Sequence, residues 1–406
     1  MDGGRGTPLR MPPPPESNRL PRAVIVIGWI SLLTDVAGEM IYPVLPLFLM
    51  TLTGRPGLAL GIIEGGAEAL VALMKGFSGW HSDRAGCRVP YIRWGYGASA
   101  LSKPLIAMAG TWAGVFGARL LDRLGKGLRG SARDALLADV AGAVQRGRVF
   151  GFHSAMDTAG AAIGVLLATA LLWGLPGQYR LIIALGLLPG LVAVGLTALL
   201  DEPAPVSAQR AADEEPHAAF SVPFVTAAAA LVVFGLANSS DTFLLLRVRA
   251  SGWQDWQVGL AYAGYNLMYA AAAYPLGRLS DRVGRWPVMV VGWMLYALVY
   301  AGFASLSGNA YWGLFAAYGL YMALTDGAAK ALLADLAPPS RKGTALGAVS
   351  TGVGLANLVG SVAAGVLFDR VGPAAPFWLG CGGTALALLL LACAWAVRRR
   401  ATREAR

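Results

Sequence analysis

The sequence predicts an all-α membrane protein of twelve transmembrane helices, arranged as two pseudo-symmetric bundles of six helices each. Hydrophobic residues make up 56% of the 406-residue chain and charged residues only 14%, whereas soluble domains carry about 25% charged residues. Apolar runs follow one another from about residue 23 to residue 397. One charged segment also occurs twice, about half the chain apart, which indicates two similar halves.

Each predicted helix is an apolar run of about the 20 residues that a bilayer core requires, bounded by charged or Gly/Pro-rich breaks. In the N-terminal bundle the runs cover residues 22–50, 58–80, 90–109, 111–135, 150–173 and 180–200. In the C-terminal bundle they cover residues 222–246, 258–279, 287–306, 311–336, 344–368 and 377–397.

Polar segments separate the two bundles and form the chain ends. Residues 1–21 are polar and Pro-rich and predict a disordered cytoplasmic tail, while residues 398–406 predict a basic cytoplasmic tail. The acidic, Pro/Ala-rich residues 201–221 predict a cytoplasmic linker. The N-terminal bundle then covers residues 22–200 and the C-terminal bundle covers residues 222–397.

The net charge of +10 is distributed as a membrane protein requires. If both termini are cytoplasmic, about 20 Lys and Arg residues lie inside and about five lie outside, which satisfies the positive-inside rule. This asymmetry accounts for the basic character without nucleic acid. Lysine is scarce beside arginine, alanine and glycine, which is typical of a GC-rich bacterial genome, so we expect the bacterial inner (plasma) membrane.

Two pairs of segments show that the halves are repeats. "GWHSDRAGCR" (79–88) and "GRLSDRVGRW" (277–286) are about 198 positions apart. "ARDALLADVAGAVQRGRVFG" (132–151) aligns with "AAKALLADLAPPSRKGTALG" (328–347) at nearly the same offset. Several matches at one offset indicate duplication, and two parallel six-helix repeats around a central cavity are the architecture of one class of transporter.

Both charged segments resemble the cytoplasmic G-x-x-x-D-R-x-G-R-[RK] signature of the major facilitator superfamily, with Cys87 where arginine is usual. The resemblance covers all twelve spans and implies the fold of that superfamily, a small-molecule solute and a monomer. "RLLDRLGKGLRGSARDALLAD", "SLLTDVAGEMIYPVLPLFL" and "RGRVFGFHSAMDTAG" resemble a poorly characterised bacterial branch of it.

In that family the signature residues latch the cytoplasmic ends of the two halves in one conformational state. The alternative is a plain charged hairpin that follows the positive-inside rule. Gly86 and Gly284 are expected to adopt positive φ, which glycine does freely. The resemblance and the repeat together imply gating roles for Gly79, Asp83, Arg84, Gly86, Arg88, Asp139, Arg148, Gly277, Asp281, Arg282, Gly284, Arg285, Asp335 and Arg341.

Charged residues inside the spans are the candidate functional groups, since each costs about 2.5–3.5 kcal/mol on insertion scales and must face a cavity or a partner. Three pairs four residues apart share a helix face: Asp35 with Glu39, Glu64 with Glu68, and His153 with Asp157. Paired acids suit proton carriage, but a neighbouring arginine could instead hold them in a static network. The histidine pair is either a proton relay or a structural hydrogen bond.

The fourth span carries basic residues at helical spacing, namely Arg119, Arg123 and Lys126, with Asp122 beside them. They either pair internally with acids or bind an anionic group of the solute. The C-terminal half offers Asn238 and Asp241 in the seventh span. It also has a possible local pair in the tenth span, Asp326 with Lys330, and tyrosines that either pack or line a pocket, namely Tyr262, Tyr265, Tyr269, Tyr274, Tyr318 and Tyr321.

Several function classes lack their motifs. The sequence has no G-x-x-x-x-G-K-[ST] phosphate-binding loop, and its three histidines show no zinc-ligand spacing, so we expect no enzyme, no metal and no cofactor. The antiporter-type proline is missing from "GAAIGVLL", where Val165 stands in its place, so the direction of transport stays open.

The expected function is secondary active transport of a small solute by alternating access, coupled to protons. Export of a metabolite or drug-like amphiphile is favoured over uptake. One alternative is an uptake symporter for a solute or a metal. A second is a non-transporting membrane receptor or assembly factor on the same scaffold.

Overall fold

The computed structural model describes residues 20–202, 220–337 and 342–404. Within these ranges, the side chains of Asp83 and of residues 138–139, 141–148, 151, 342–344 and 398–404 are not described. The helices are α1 (Arg22–Glu39), α2 (Val44–Leu52), α3 (Pro56–Ala85), α4 (Val89–Met108), α5 (Trp112–Gly174), α6 (Tyr179–Leu185), α7 (Leu187–Leu196), α8 (Val222–Ala237), α9 (Thr242–Ala250), α10 (Asp255–Val283), α11 (Arg285–Ser305), α12 (Ala310–Leu336), α13 (Lys342–Arg370) and α14 (Ala375–Glu404). A 3₁₀ turn, Thr197–Leu199, extends α7.

Helix α5 joins the predicted fourth and fifth spans into one helical run of 63 residues. Two contacts show that the run reverses direction in its middle. The hydroxyl of Ser31 lies 3.3 Å from Arg133 Nη1 and 2.9 Å from His153 Nε2. Twenty residues of straight helix would separate those positions by about 30 Å. The first arm of α5 therefore runs antiparallel to the second arm, as two spans joined by a turn would.

Two predicted spans are interrupted. The first breaks between Glu39 and Val44, where Pro43 lacks the backbone N–H that a continuing helix needs. The seventh breaks between Ala237 and Thr242, where Asn238 has an extended backbone (φ −86°, ψ 98°). These breaks are also about 198 residues apart, so the duplication includes them. The predicted spans over 22–50 and 222–246 therefore each form one crossing, Arg22–Leu52 and Val222–Ala250, in which the helix is interrupted.

The described residues contain twelve crossings, six in each half. α1 with α2, α6 with α7, and α8 with α9 each form one interrupted crossing, and the two arms of α5 form two. Eight of the crossings are long and apolar enough to span a membrane by length and composition alone. The others are α4, the first arm of α5, α10 and α12. The fold is therefore the predicted all-α architecture.

The charged signature segments are helix ends rather than loops. Helix α3 continues to Ala85, so Gly79 and Arg84 lie within it, and α10 likewise continues to Val283. The turns consist of residues 86–88 in the first half and of Gly284 alone in the second half. As predicted, Gly86 (φ 65°) and Gly284 (φ 98°) have positive φ.

The two faces of the helical assembly are named here by their elements. The proximal face holds the start of α1, the end of α3 and the end of α12. The distal face holds the end of α2, the start of α3 and the end of α13. The halves meet where α3 packs on α13 and where the second arm of α5 packs on α10.

Candidate substrate and ion-coupling site

A buried ion network fills the middle of the N-terminal half. Arg119, only 1% exposed, donates from Nε to Glu64 Oε1 at 3.0 Å and from Nη1 to Asp122 Oδ2 at 3.1 Å. Lys103 Nζ donates to the other oxygen of Asp122 at 2.8 Å. Such pairing offsets much of the cost of burying these charges. Internal pairing therefore occupies Arg119.

The network loosens towards the centre of the molecule. Arg123 Nη2 lies 3.7 Å from Glu64 Oε2 and 3.9 Å from Glu68 Oε1, both longer than a good ionic hydrogen bond. The side chain of Glu68 is 51% exposed and lines a cavity between the halves. The static core is thus Lys103, Glu64, Arg119 and Asp122, whereas Glu68 keeps an accessible carboxylate.

The acidic pair of α1 has a different environment. Among the described residues, neither Asp35 nor Glu39 has a basic group within 4 Å. Glu39 Oε2 accepts a hydrogen bond from the hydroxyl of Tyr262 at 3.1 Å, and this bond joins the N-terminal half to the C-terminal half. The ring of Tyr42 stacks on Tyr262 with 5.0 Å between centroids. The charges that act on Asp35 include the Asp157 carboxylate and the Lys126 ammonium.

Ser31 connects α1 to both arms of α5. Its hydroxyl lies 2.9 Å from His153 Nε2 and 3.3 Å from the hydroxyl of Tyr96. His153 Nδ1 lies 3.5 Å from Asp157 Oδ2. The other oxygen of Asp157 is buried and has no hydrogen-bond partner in the described part of the chain. The predicted histidine–aspartate pair therefore joins α5 to α1 and leaves one carboxylate oxygen unsatisfied.

The C-terminal half holds one carboxylate at its helix break. Asp241 accepts hydrogen bonds from Tyr318 at 2.6 Å and Tyr265 at 3.1 Å, with no basic group within 4 Å in the described ranges. Two of the six tyrosines therefore neither merely pack nor line a pocket: they hold Asp241. The expected local pair forms between Lys330 Nζ and Asp326 Oδ1 at 2.8 Å.

The remaining tyrosines take different positions. Tyr269 donates a hydrogen bond to Asp326 at 3.2 Å. Tyr321 is 3% exposed and lines the cavity. Tyr274 is 73% exposed and lies outside the cavity, beside Arg278. Tyrosine spacing alone therefore did not identify a pocket.

A cavity of about 660 Å³ lies between the halves, walled by α3 on one side and by α8, α11, α12 and α13 on the other. Five residues singled out in the sequence line it, namely Glu68, Asn238, Tyr321, Asp326 and Lys330. It reaches the proximal face, because Leu333 and Leu346 line it within about one turn of the end of α12 and the start of α13. The cavity is therefore accessible from the proximal side.

Contacts between the halves close the distal side. The Asp369 carboxylate accepts hydrogen bonds from the backbone N–H of Gly57 at 3.0 Å and of Leu58 at 2.7 Å, in the first turn of α3. Tyr179 donates to Asp255 at 2.5 Å, and Arg249 Nε pairs with the same carboxylate at 2.7 Å. In both contacts a carboxylate of the C-terminal half holds the N-terminal half.

Glycines allow the two halves to approach closely on that side. A Cβ atom on Gly61 would lie 2.2 Å from the carbonyl oxygen of Ser361 on α13. A Cβ atom on Gly259 would lie 2.8 Å from Thr169 Oγ1 on α5. These glycines occupy matching positions in the repeat, and each lies where helices of different halves cross.

Three predicted gating residues of the C-terminal half lie together on the proximal face. Arg285 donates from Nε to Asp335 at 2.5 Å and from Nη1 to Asp281 at 3.2 Å. All three residues belong to the same half. The two contacts therefore join the start of α11 to the ends of α10 and α12. Arg282 and Gly277 are exposed on the last turns of α10.

In the N-terminal half, Arg88 and Val89 donate their backbone N–H groups to the carboxylate of Glu202, and Arg88 Nη1 donates to Ser82 at 2.9 Å. The guanidinium of Arg84 lies 5.9 Å from the ring centroid of Trp80. The side chains of Asp83, Asp139, Arg148 and Arg341 are outside the described part of the structure, so their gating roles stay predictions.

Sequence reasoning missed the residues that act across the halves. Tyr42, Asp369 and the contact of Asp255 with Tyr179 gave no local signal, because the partners are about 76 to 312 positions apart. Asp255 also pairs with the nearby Arg249, and the side-chain oxygen of Asn357 has no partner among the described residues. The polar run 238–241 inside an apolar span could have predicted the helix break, since such side chains compete for backbone groups.

Comparison with known proteins agrees with this architecture. The Major Facilitator Superfamily model matches residues 27–254 and 227–406. The Uncharacterized MFS-type transporter MJ1317 of Methanocaldococcus jannaschii is 31% identical over 373 residues, which cover 89% of this chain and 92% of that protein. The Multi-drug resistance efflux pump PmrA of Streptococcus pneumoniae is 30% identical over 158 residues, covering 37% of this chain and 39% of the pump.

The fold has close solved counterparts. The crystal structure of a bacterial homolog to the human lysosomal transporter Spinster, in an inward-facing and occupied conformation, superposes with a TM-score of 0.69. It is 16% identical and covers 94% of this chain and 96% of that one, so it shows the fold alone. Together with the family match over nearly the whole chain, these findings confirm the predicted family: the chain belongs to the major facilitator superfamily.

Proposed function

We propose that the chain moves a small solute across the membrane by proton-coupled alternating access, and that it exports a metabolite or a drug-like amphiphile. The family makes it a secondary transporter. The cavity that reaches one face while contacts close the other is what one state of such a cycle requires. The similarity to a multi-drug efflux pump supports export.

One observation carries the coupling proposal: Glu39 contacts the C-terminal half, and neither Glu39 nor Asp35, one helical turn away, has a basic group within 4 Å in the described residues. A carboxylate in that position can be neutralised by a proton. Ionised Glu39 accepts a charge-assisted hydrogen bond from Tyr262, which is stronger than the bond that a neutral acid would accept. Proton binding at this pair therefore changes the contact between the halves.

The proposed cycle follows from that contact. With Glu39 ionised, its bond to Tyr262 favours the state in which the cavity reaches the proximal face. Proton binding weakens the bond and favours opening of the distal face. Positive residues concentrate at the proximal ends, so the proximal face is taken as cytoplasmic. Antiport then requires the protonated, solute-free chain to return to the proximal-open state and to release its proton at the proximal face.

The first experiment measures how the halves respond to pH without any solute. Spin labels on Met50→Cys and Val371→Cys, which are 39% and 72% exposed near the distal ends of α2 and α13, report the distal distance. Cys87, Cys381 and Cys393 are replaced first. We expect the distance distribution to lengthen between pH 8 and pH 5.5. Glu39→Gln and Asp35→Asn should reduce that change.

Asp326→Asn is the matched control, because its partner Lys330 lies on the same helix and the pair does not join the halves. It should keep the pH response. If Glu39→Gln and Asp35→Asn both respond to pH as the unmodified chain does, coupling at this pair is wrong.

The direction is tested in everted membrane vesicles with an acidic interior. A solute that stabilises the purified protein in a thermal-shift screen should accumulate in vesicles that contain the chain. A protonophore should abolish accumulation. Accumulation only in right-side-out vesicles would identify an importer instead.

A further inference from the structure

The wall of the cavity is mostly apolar and suits an amphipathic occupant. Its volume of about 660 Å³ falls within the roughly 300–1,000 Å³ typical of sites for drug-sized ligands. Val71, Met289 and Val353 contribute from three helices. The rings of Phe234 and Trp293 stack in parallel at 4.6 Å along one side. An occupant therefore has an apolar or aromatic body.

The polar groups deep in the cavity are acceptors that lack donors. The side-chain oxygens of Asn238 and Asn357 are buried and have no hydrogen-bond partner among the described residues. The nearest cation to the half-exposed carboxylate of Glu68 is the Arg123 guanidinium, at 3.9 Å, which Glu64 shares. Lys126, Arg119 and Lys75 act on Glu68 from farther away. Such acceptors select a ligand that brings N–H donors and positive charge.

Two contacts place these acceptors at one depth. Cβ atoms on Gly65 and Gly354 would contact Leu358 of α13 and Ala72 of α3, respectively. On α3, Glu68 lies between the contact residues Gly65 and Ala72. On α13, Asn357 lies between the contact residues Gly354 and Leu358. A Cβ on Gly235 would also lie 3.0 Å from Asn357 Oδ1, which brings the last turn of α8 and thus Asn238 to the same region.

Among the described residues, the two basic side chains that line the cavity are either bound or nearer its mouth. Lys330, the basic residue of α12 in the wall, binds Asp326 at 2.8 Å. Lys75 lines the cavity, but it is seven residues beyond Glu68 on α3, about 10 Å nearer the proximal face. The basic network of α5 contributes no lining residue within the described part of the chain. The deep end is thus acceptor-rich and the mouth is basic.

We infer that the cavity binds an amphipathic protonated amine that carries N–H groups. Its ammonium group contacts Glu68 and the amide oxygens of Asn238 and Asn357, and its body lies along Phe234 and Trp293. This inference rests on the proposed transport function, because it assigns the chemical class of the solute.

Three probes of similar size separate the chemical requirements. Purified full-length chain is titrated by calorimetry at pH 7 with 2-phenylethylamine, its N,N,N-trimethyl derivative and 3-phenylpropionate. The primary amine should bind at least tenfold more tightly than the trimethyl compound, which has a charge but no N–H donor. The carboxylate should not bind. Equal binding of the carboxylate, or no binding of the amine at millimolar concentration, overturns the inference.

Asn357→Leu tests the site without ambiguity about folding. Since the variant removes a buried acceptor that has no partner, its unfolding temperature should stay unchanged or rise, while amine affinity should fall at least tenfold. Asn266→Leu is the matched control, because Asn266 donates to the Tyr262 carbonyl at 2.9 Å and does not line the cavity. It should lose stability and keep amine affinity. The reverse pattern contradicts a binding role for Asn357.

The two experiments can refute the coupling proposal and the assigned solute class independently of each other. Amine binding without a pH response of the distal distance would contradict the coupling proposal and leave the solute class intact. A pH response lost in Glu39→Gln, together with no amine binding, would refute the solute class alone.

Discussion

Two carboxylates bind the buried guanidinium of Arg119, Glu64 at 3.0 Å and Asp122 at 3.1 Å. Sequence spacing predicted that the basic residues of this segment pair internally as one of two alternatives. It left Arg119 and Lys126 open as local partners of Asp122, since residues three or four apart share a helix face, and Asp122 pairs with Arg119. The pairing of Lys103 with Asp122 joins α4 to α5 and could not be read from spacing. Local pairs were thus predictable and pairs between helices were not.

The first prediction concerns Arg119→Met. This variant leaves Glu64 and Asp122 buried with one cation fewer, so it should lower the free energy of unfolding by about 3–5 kcal/mol. Lys330→Met is the control, because that ammonium is 75% exposed and its pair should contribute about 0–1 kcal/mol. Denaturant unfolding in detergent measures both. A smaller loss in Arg119→Met than in Lys330→Met would show that the network is not structural.

At the scale of elements, apolar runs predicted where helices occur, whereas helix ends and breaks depended on side chains that the runs do not reveal. Pro43 and the polar run 238–241 stop hydrogen bonding in mid-span. The charged signatures remained helical up to Ala85 and Val283, because exposed arginines such as Arg84 and Arg282 do not end a helix as a positive-φ glycine does. Gly86 and Gly284 were the true stop signals.

The second prediction concerns the crossing of α3 and α13. Gly61→Ala places a methyl group 2.2 Å from the Ser361 carbonyl, so the helices must separate. The distal distance between labels at Met50 and Val371 should lengthen. Gly76→Ala on the same helix meets no atom within 4 Å and should leave that distance unchanged while favouring the helix by about 1 kcal/mol. Equal distances in both variants would contradict a closing role for this crossing.

At the scale of the whole molecule, two carboxylates of the C-terminal half close the distal side. Asp369 binds the first turn of α3, where the helix dipole also favours a negative charge. Asp255 binds Tyr179 at the start of α6. Hydrogen bonds to charged groups contribute about 1.5–3 kcal/mol each, so these two contacts can set the balance between closed and open states.

The third prediction follows from those contacts. Asp255→Ala and Asp369→Ala should each increase the population with a long distal distance, by roughly tenfold or more, and the double variant should exceed either single one. Asp326→Ala is the control, because its partner Lys330 belongs to the same helix. Labels at Met50 and Val371 report the populations. A double variant that stays closed would place the distal restraint elsewhere.

The sequence by itself determined the number of crossings, the two-fold repeat, the family and the presence of charges inside the membrane, because these depend on composition, periodicity and internal similarity. Only the tertiary structure decided which charges neutralise one another. Asp35, Glu39 and Asp241 resemble Glu64 in sequence, yet packing brings Arg119 to Glu64 and brings tyrosines to Glu39 and Asp241. The reason is physical: the electrostatic state of a buried group depends on neighbours from other helices, and chain spacing does not encode those distances.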